Sequence, residues 1–116
     1  MTASRNPLFR LHHIADEIRN LTQALSGIDR PAFVNSYVLV RTAERALLII
    51  SEAAKALPDE LTRRYPEIDW PALRGLGNVL RHDYQTVDAQ TLREIVSRKV
   101  PELAPVVARM ITDTSR

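Results

Sequence analysis

The residues of this chain that could carry out chemistry crowd into one stretch, Arg74-Gly75-Leu76-Gly77-Asn78-Val79-Leu80-Arg81-His82-Asp83-Tyr84. A helix over 74–82 sets Asn78 and His82 one turn apart on one face. Arg74 and Arg81, seven residues apart, project in nearly the same direction, while Val79 and Leu80 are free to face the core. Two guanidiniums, an amide and an imidazole make an anion site, and imidazole exchanges a proton near neutral pH. In a continuous helix Tyr84 would point about 200° away from His82. A working His82-Asp83-Tyr84 unit therefore predicts a helix end near Asp83. In the plainer alternative Tyr84 packs and His82 caps a backbone carbonyl. Asp83 could orient the imidazole, cap the next helix or pair with an arginine.

Other candidates are weaker. His12 and His13 are adjacent, so on a helix they point about 100° apart and do not form the usual i,i+4 metal pair. With Asp16 and Glu17 they read as a polar helix face rather than a metal site. Trp70 reads as a packing anchor before it reads as a platform for a base. Arg63-Arg64 and Arg98-Lys99 could touch a nucleic-acid backbone, and solvated helix ends account for them equally well. No residue set points to a bound metal or a cofactor: there are only three glycines, and no cysteine for thiolate catalysis or a zinc site.

Periodicity supplies the elements that must hold these groups. Leu11, Ile14, Ile18, Leu21 and Leu25 form one apolar stripe from about Pro7, broken at Gly27 and Asp29-Arg30-Pro31. A longer helix is predicted from Ala32 or Phe33 to Leu57, with Tyr37, Val40, Leu47, Ile50 and Leu57 inward and small alanines between. Its Leu47-Leu48-Ile49-Ile50 cluster is wider than one surface stripe needs, which places it either centrally in a bundle or at a dimer interface. Pro58 opens a short helix through Leu61 towards Tyr65, and Pro71 opens one reaching Leu80 or Arg81. Val87 begins the last helical region, with Asp88 in its first turn; Pro101 and Pro105 could kink or restart it. No stretch alternates as a strand. The expected fold is all-α, an antiparallel bundle of four to five helices in one domain over 1–116, with 112–116 as a frayed tail.

Composition narrows the function classes. Sixteen basic and 14 acidic residues leave a net +2, and 14 of the basic residues are arginines suited to gripping phosphate or carboxylate. The signs are interspersed, so charge alone argues only weakly for nucleic acid. No apolar run approaches membrane-spanning length, and no signal-like segment opens the chain, so a soluble cytoplasmic protein is expected.

Taken together, these elements resemble the HepT-like family. The resemblance rests on the first amphipathic helix, the long second helix with its step at Ile50-Ser51-Glu52-Ala53, and the Leu57-Pro58 boundary. It continues through Tyr65-Pro66-Glu67-Ile68-Asp69-Trp70, the 75–84 stretch and Val87-Asp88. It implies an all-helical two-fold homodimer acting as a ribonuclease toxin on RNA, paired with a small nucleotidyltransferase antitoxin that can modify the tyrosine after the catalytic histidine. The family motif is an arginine, four to six residues, then His-x-Tyr. His82 and Tyr84 match its end and Asn78 its polar position, but Gly77 stands where the arginine is customary.

The resemblance and the residue chemistry imply cleavage without a metal. His82 assists proton transfer as a ribose 2′-oxygen attacks the phosphate, Arg74 or Arg81 stabilises the phosphoryl charge, and Asn78 positions the substrate or His82. Tyr84 orients substrate and is the possible modification site. Arg74 has one residue too many before His82, Arg81 adjoins it, and a dimer could supply an arginine across its interface. The rival reading is a helical interaction module, bound or modified by a nucleotidyltransferase and weak or inactive on RNA because of Gly77. A purely structural dimer is the third.

Overall fold

The computed structural model describes residues 6–116; the side chain of Tyr84 lies outside what it describes. Among the described residues there is no strand. The helices are α1 (Pro7–Ala24), α2 (Arg30–Val34), α3 (Tyr37–Lys55), α4 (Asp59–Thr62), α5 (Trp70–His82), α6 (Ala89–Glu94) and α7 (Val100–Thr114). A 3-10 turn at Tyr84–Thr86 follows α5, and a π-helical turn at Ile95–Lys99 joins α6 to α7.

Side-chain caps fix most of the starts. Asn6 accepts from the Leu8 amide at 2.9 Å ahead of α1, and Asp29 from Ala32 at 2.9 Å ahead of α2. Ser36 accepts from Leu39 at 3.1 Å and Asp69 from Ala72 at 3.1 Å, opening α3 and α5. Asp88 caps α6; its bond from the Thr91 amide holds the Asp88 carboxyl below its ordinary range. Gly27, at φ 76°, takes the left-handed turn that releases the chain from α1.

α3 is the spine. α1 and α5 pack along it, α7 closes against α1, and α2 lies on α6. Its inward face carries Ala43, Ala46, Leu47, Ile50, Ala53 and Ala54, which meet Leu11, Ile14, Ile18 and Leu21 of α1 in one core with Leu103, Val107 and Met110 of α7. The wide apolar cluster on α3 divides accordingly. Leu47 and Ile50 are buried, whereas Leu48 and Ile49 are half-buried on the flank.

Three expectations need correction. The long helix does not run unbroken from Ala32: Asn35 and Ser36 interrupt it, because Ser36 adopts an extended conformation to cap α3. Tyr37, expected inward, is 74% exposed as the first residue of α3 and stacks under Arg41 at 5.0 Å. Val79, expected to help hold α5, is exposed, and Trp70, Leu73, Leu76 and Leu80 anchor that helix instead. Trp70 is buried and donates its indole N–H to the Tyr65 carbonyl at 3.0 Å, which makes it a packing anchor and not a surface for a base.

The last helical region does not restart before Val106. Pro101 and Pro105 both lie within α7, which follows directly on the π turn at Ile95–Lys99. No described helix is long and apolar enough to cross a membrane.

Candidate active site at the end of the fifth helix

α5 ends where a His82-Asp83-Tyr84 unit requires it to end. Asp83 leaves helical geometry at φ −142°, ψ 41°, and its amide makes the closing bond to the Val79 carbonyl at 2.8 Å. The Asp83 carbonyl then accepts from the Thr86 amide at 3.0 Å and the Thr86 hydroxyl at 2.8 Å, which fixes the 3-10 turn. Asp83 does not cap α6, since Asp88 does. His82 is exposed at this helix end, with Asn78 exposed one turn before it.

Two residues of α3 that the sequence did not single out as site groups complete the polar surface. Lys55 donates to the Asn78 side-chain oxygen at 2.9 Å and to Glu52 at 3.3 Å, and Arg81 donates to the same Glu52 carboxylate. The bond from Arg81, then that from Lys55, holds the Glu52 carboxyl below the usual carboxylate range. The signal for this pair was the polar step at Ser51-Glu52 after the apolar run 46–50, with Lys55 three residues on from Glu52.

Arg74 and Arg81 have different surroundings. Arg74 turns onto the end of α3: Nε donates to the Ala54 carbonyl at 3.1 Å and Nη2 to the Leu57 carbonyl at 3.0 Å. Nη2 also lies 3.5 Å from the Thr62 hydroxyl, and Nη1 pairs with Asp59 at 3.1 Å. The guanidinium thus satisfies carbonyls at the end of α3 and ties α4 to them. With its side chain only 22% exposed, Arg74→Ala should lose about 2–3 kcal/mol of stability, since it strands hydrogen bonds to a charged donor. Arg74→Lys should recover less than half of that, because an ammonium cannot reproduce the fork. Denaturant titration at fixed protein concentration measures both; an unchanged midpoint in Arg74→Ala would show that the clamp contributes nothing.

Gly77 is the point of closest approach between α3 and α5. Its amide donates to the Ser51 hydroxyl at 2.8 Å, and that hydroxyl donates to the Arg74 carbonyl at 3.0 Å. An added Cβ would lie 2.6 Å from Ser51 Oγ and 3.0 Å from Ser51 Cβ. In this chain the position faces the neighbouring helix and not solvent.

His12 is exposed and His13 half-buried beside Phe9, with ring centroids 6.3 Å apart. They do not join Asp16 and Glu17 in a metal-holding set; no cluster of three or more such ligands occurs among the described residues.

Comparison with known proteins bears on this arrangement directly. The profile of the family described as "Ribonuclease HepT-like" matches residues 14–110. The chain is 32% identical to "Putative RNase TTE0752" of Caldanaerobacter subterraneus subsp. tengcongensis, over 92% of this chain and 96% of that one. It is 29% identical to "Putative RNase MJ0125" of Methanocaldococcus jannaschii, over 91% and 89% of the two chains. With "Probable ribonuclease HepT" of Thermococcus cleftensis it shares 39% identity over 51% of this chain and 54% of that one. No solved structure matches it. The matched span takes in the helix-end histidine, the α3–α5 contact and nearly all of the core, and the chain belongs to the HepT-like ribonuclease family.

Proposed function

We propose that this chain is an endoribonuclease toxin that cleaves RNA by internal attack of a ribose 2′-hydroxyl, with His82 as its proton-transfer group. The observation that carries the reading is His82 standing exposed at the end of α5, one turn from Asn78 and next to Arg81 in the chain. In this reaction the 2′-oxygen forms a bond to phosphorus and its proton passes to the His82 imidazole. The bond from phosphorus to the 5′-oxygen breaks, and that oxygen takes a proton from the imidazolium or from solvent and leaves as a hydroxyl. The nucleophile belongs to the substrate, so no metal-activated water is needed. Of the two arginines, Arg81 suits the developing phosphoryl charge better. Its guanidinium has one carboxylate partner at the surface, whereas Arg74 is committed to backbone carbonyls. Asn78 positions a phosphate oxygen, and Asp83 is close enough in the chain to orient the ring.

Within the same proposal the chain acts as a two-fold homodimer, and Tyr84 is the residue a nucleotidyltransferase antitoxin modifies. A nucleotide attached two residues from His82 would add bulk and negative charge at the phosphate site and block it without unfolding the protein.

Product chemistry tests the mechanism. Unmodified protein incubated with a defined RNA in the presence of a chelator should leave 2′,3′-cyclic phosphate and 5′-hydroxyl ends, read by mass spectrometry. A substrate with a 2′-O-methyl group at each cleaved position should remain intact. Cutting of the methylated RNA, or products with 5′-phosphate ends, would rule out internal attack.

A further inference from the structure

Beside Arg81, a cleft of ≈ 350 Å³ runs between the first half of α1, the second half of α3 and the end of α5. Its charged wall is Arg10, Arg45 and Arg81 with a single carboxylate, Glu52, and His13 stands among them. Two positive charges in excess at one cleft equal the net charge of the whole chain, so the rest of the molecule is balanced around it. The floor is apolar, formed by Leu48, Ile49 and Ala53. Phe9 stands 50% exposed next to it, with Arg10 lying 5.8 Å from its ring centroid and the His13 ring 6.3 Å away. The Nδ1 of His13 is buried with no hydrogen-bond partner among the described residues. Arg45 forms no ion pair within the described residues, although it sits on a helix that carries Glu44 and Glu52.

Cations interleaved with an exposed aromatic ring over an apolar floor are what a single nucleic-acid strand uses: phosphates meet the guanidiniums and a base lies on the ring. An acidic peptide would satisfy the arginines but would give the half-exposed ring no flat partner. We infer that this cleft is a binding track for a single RNA strand beside the reacting phosphate, with Arg45 and Arg81 as phosphate contacts, Phe9 as a stacking platform and Glu52 as the internal anion that the RNA phosphate displaces from Arg81. The inference rests on RNA being the substrate. It adds where the strand lies and makes Glu52 a competitor of the ligand.

Binding of a short, unstructured, fluorescein-labelled 2′-O-methyl oligoribonucleotide tests it by anisotropy. This probe cannot undergo internal attack, so binding is read apart from cleavage. Arg45→Ala should weaken binding about five- to tenfold at low salt and reduce the slope of log affinity against log salt by about 0.7, one phosphate contact on a single strand. Phe9→Ala should weaken it at least about fivefold with no change in that slope. Glu52→Gln keeps the shape and removes the charge, and should tighten binding about threefold or more. Affinities of Arg45→Ala and Glu52→Gln both within twofold of the parent would overturn the inference. So would orthophosphate displacing the probe at equal phosphate concentration, which would mean a single-anion hole. If Arg45→Ala altered the mass of the assembly at fixed concentration while probe binding held, the cleft would be a contact between copies. His82→Ala separates the two claims. Parent-like cleavage by that variant sinks the reaction proposed above, whereas parent-like binding by Arg45→Ala and Glu52→Gln sinks only the track.

Discussion

His82→Ala should lower RNA cleavage by about 10²–10⁴-fold, the usual contribution of one positioned proton-transfer group, with the melting temperature within about two degrees of the parent. The two halves of this expectation come from the same geometry. His82 is the last residue of α5, is exposed, and lies outside the core. Truncating it removes no packing, and substitution at an exposed position outside the core shifts stability by no more than about 0.5 kcal/mol. The loss should therefore appear in turnover of a fully folded protein. Arg81→Ala should also fall, but by less, because it removes one stabiliser of the phosphoryl charge and leaves the proton-transfer group in place. The double variant should lose less than the product of the two single losses, since both act on one transition state. Cleavage and binding need separate assays, because Arg81 also walls the cleft proposed to hold the RNA strand. Equal cleavage rates for His82→Ala and the parent would remove His82 from the chemistry altogether.

Legibility in the sequence followed period and punctuation. The stripe Leu11, Ile14, Ile18 and Leu21 announced α1 because its members share one face of the helix, and all four are buried. The end of α5 was legible because a working His82-Asp83-Tyr84 unit would require the helix to stop near Asp83, and it does. What failed was what depends on partners distant in the chain. Tyr37 fitted the apolar period of α3 but stands exposed at its first residue. Arg74 looked equivalent to Arg81 because seven residues bring two side chains to one face. Periodicity carries no sign that the carbonyls of Ala54 and Leu57 end within reach of one and not the other. Glu52 and Lys55 were hidden for the same reason, since their relation to Asn78 and Arg81 exists only once α3 and α5 cross. Family membership could be read from order and spacing, whereas the division of labour between two arginines needed the helix contact.

That contact gives the second large effect. Gly77→Arg, which would put back the residue customary in the family, should destabilise the protein by more than about 3 kcal/mol and should not raise cleavage. The first atom of any side chain decides this. A Cβ at position 77 lies 2.6 Å from Ser51 Oγ and 3.0 Å from Ser51 Cβ, with Leu48 Cδ1 at 3.4 Å behind them. Ser51 is fully buried and is held by its bonds to the Gly77 amide and the Arg74 carbonyl, so it has no free rotamer to retreat into. α3 and α5 must separate, and the Lys55–Asn78 and Glu52–Arg81 contacts across the same seam separate with them. Gly77→Ala isolates the steric part. It should cost about 1–3 kcal/mol even though alanine is favoured over glycine by about 1 kcal/mol inside a helix. Gly75→Ala is the internal control: no atom lies within 4 Å of the added Cβ, so it should stabilise by about 0.5–1 kcal/mol. Ser51→Ala in the Gly77→Ala background removes the nearest atom and should return part of the loss, whereas in the parent it should cost about 1 kcal/mol as a lost hydrogen bond. Denaturant titrations of the four proteins give that coupling directly. A Gly77→Arg protein with parent stability and faster cleavage would mean that position 77 faces substrate and that α5 is rotated from the placement described above. With the expected loss, the glycine is a packing residue that lets α5 approach α3 closely enough to bring Arg81 beside Glu52, and any arginine acting on the substrate must come from elsewhere on the surface.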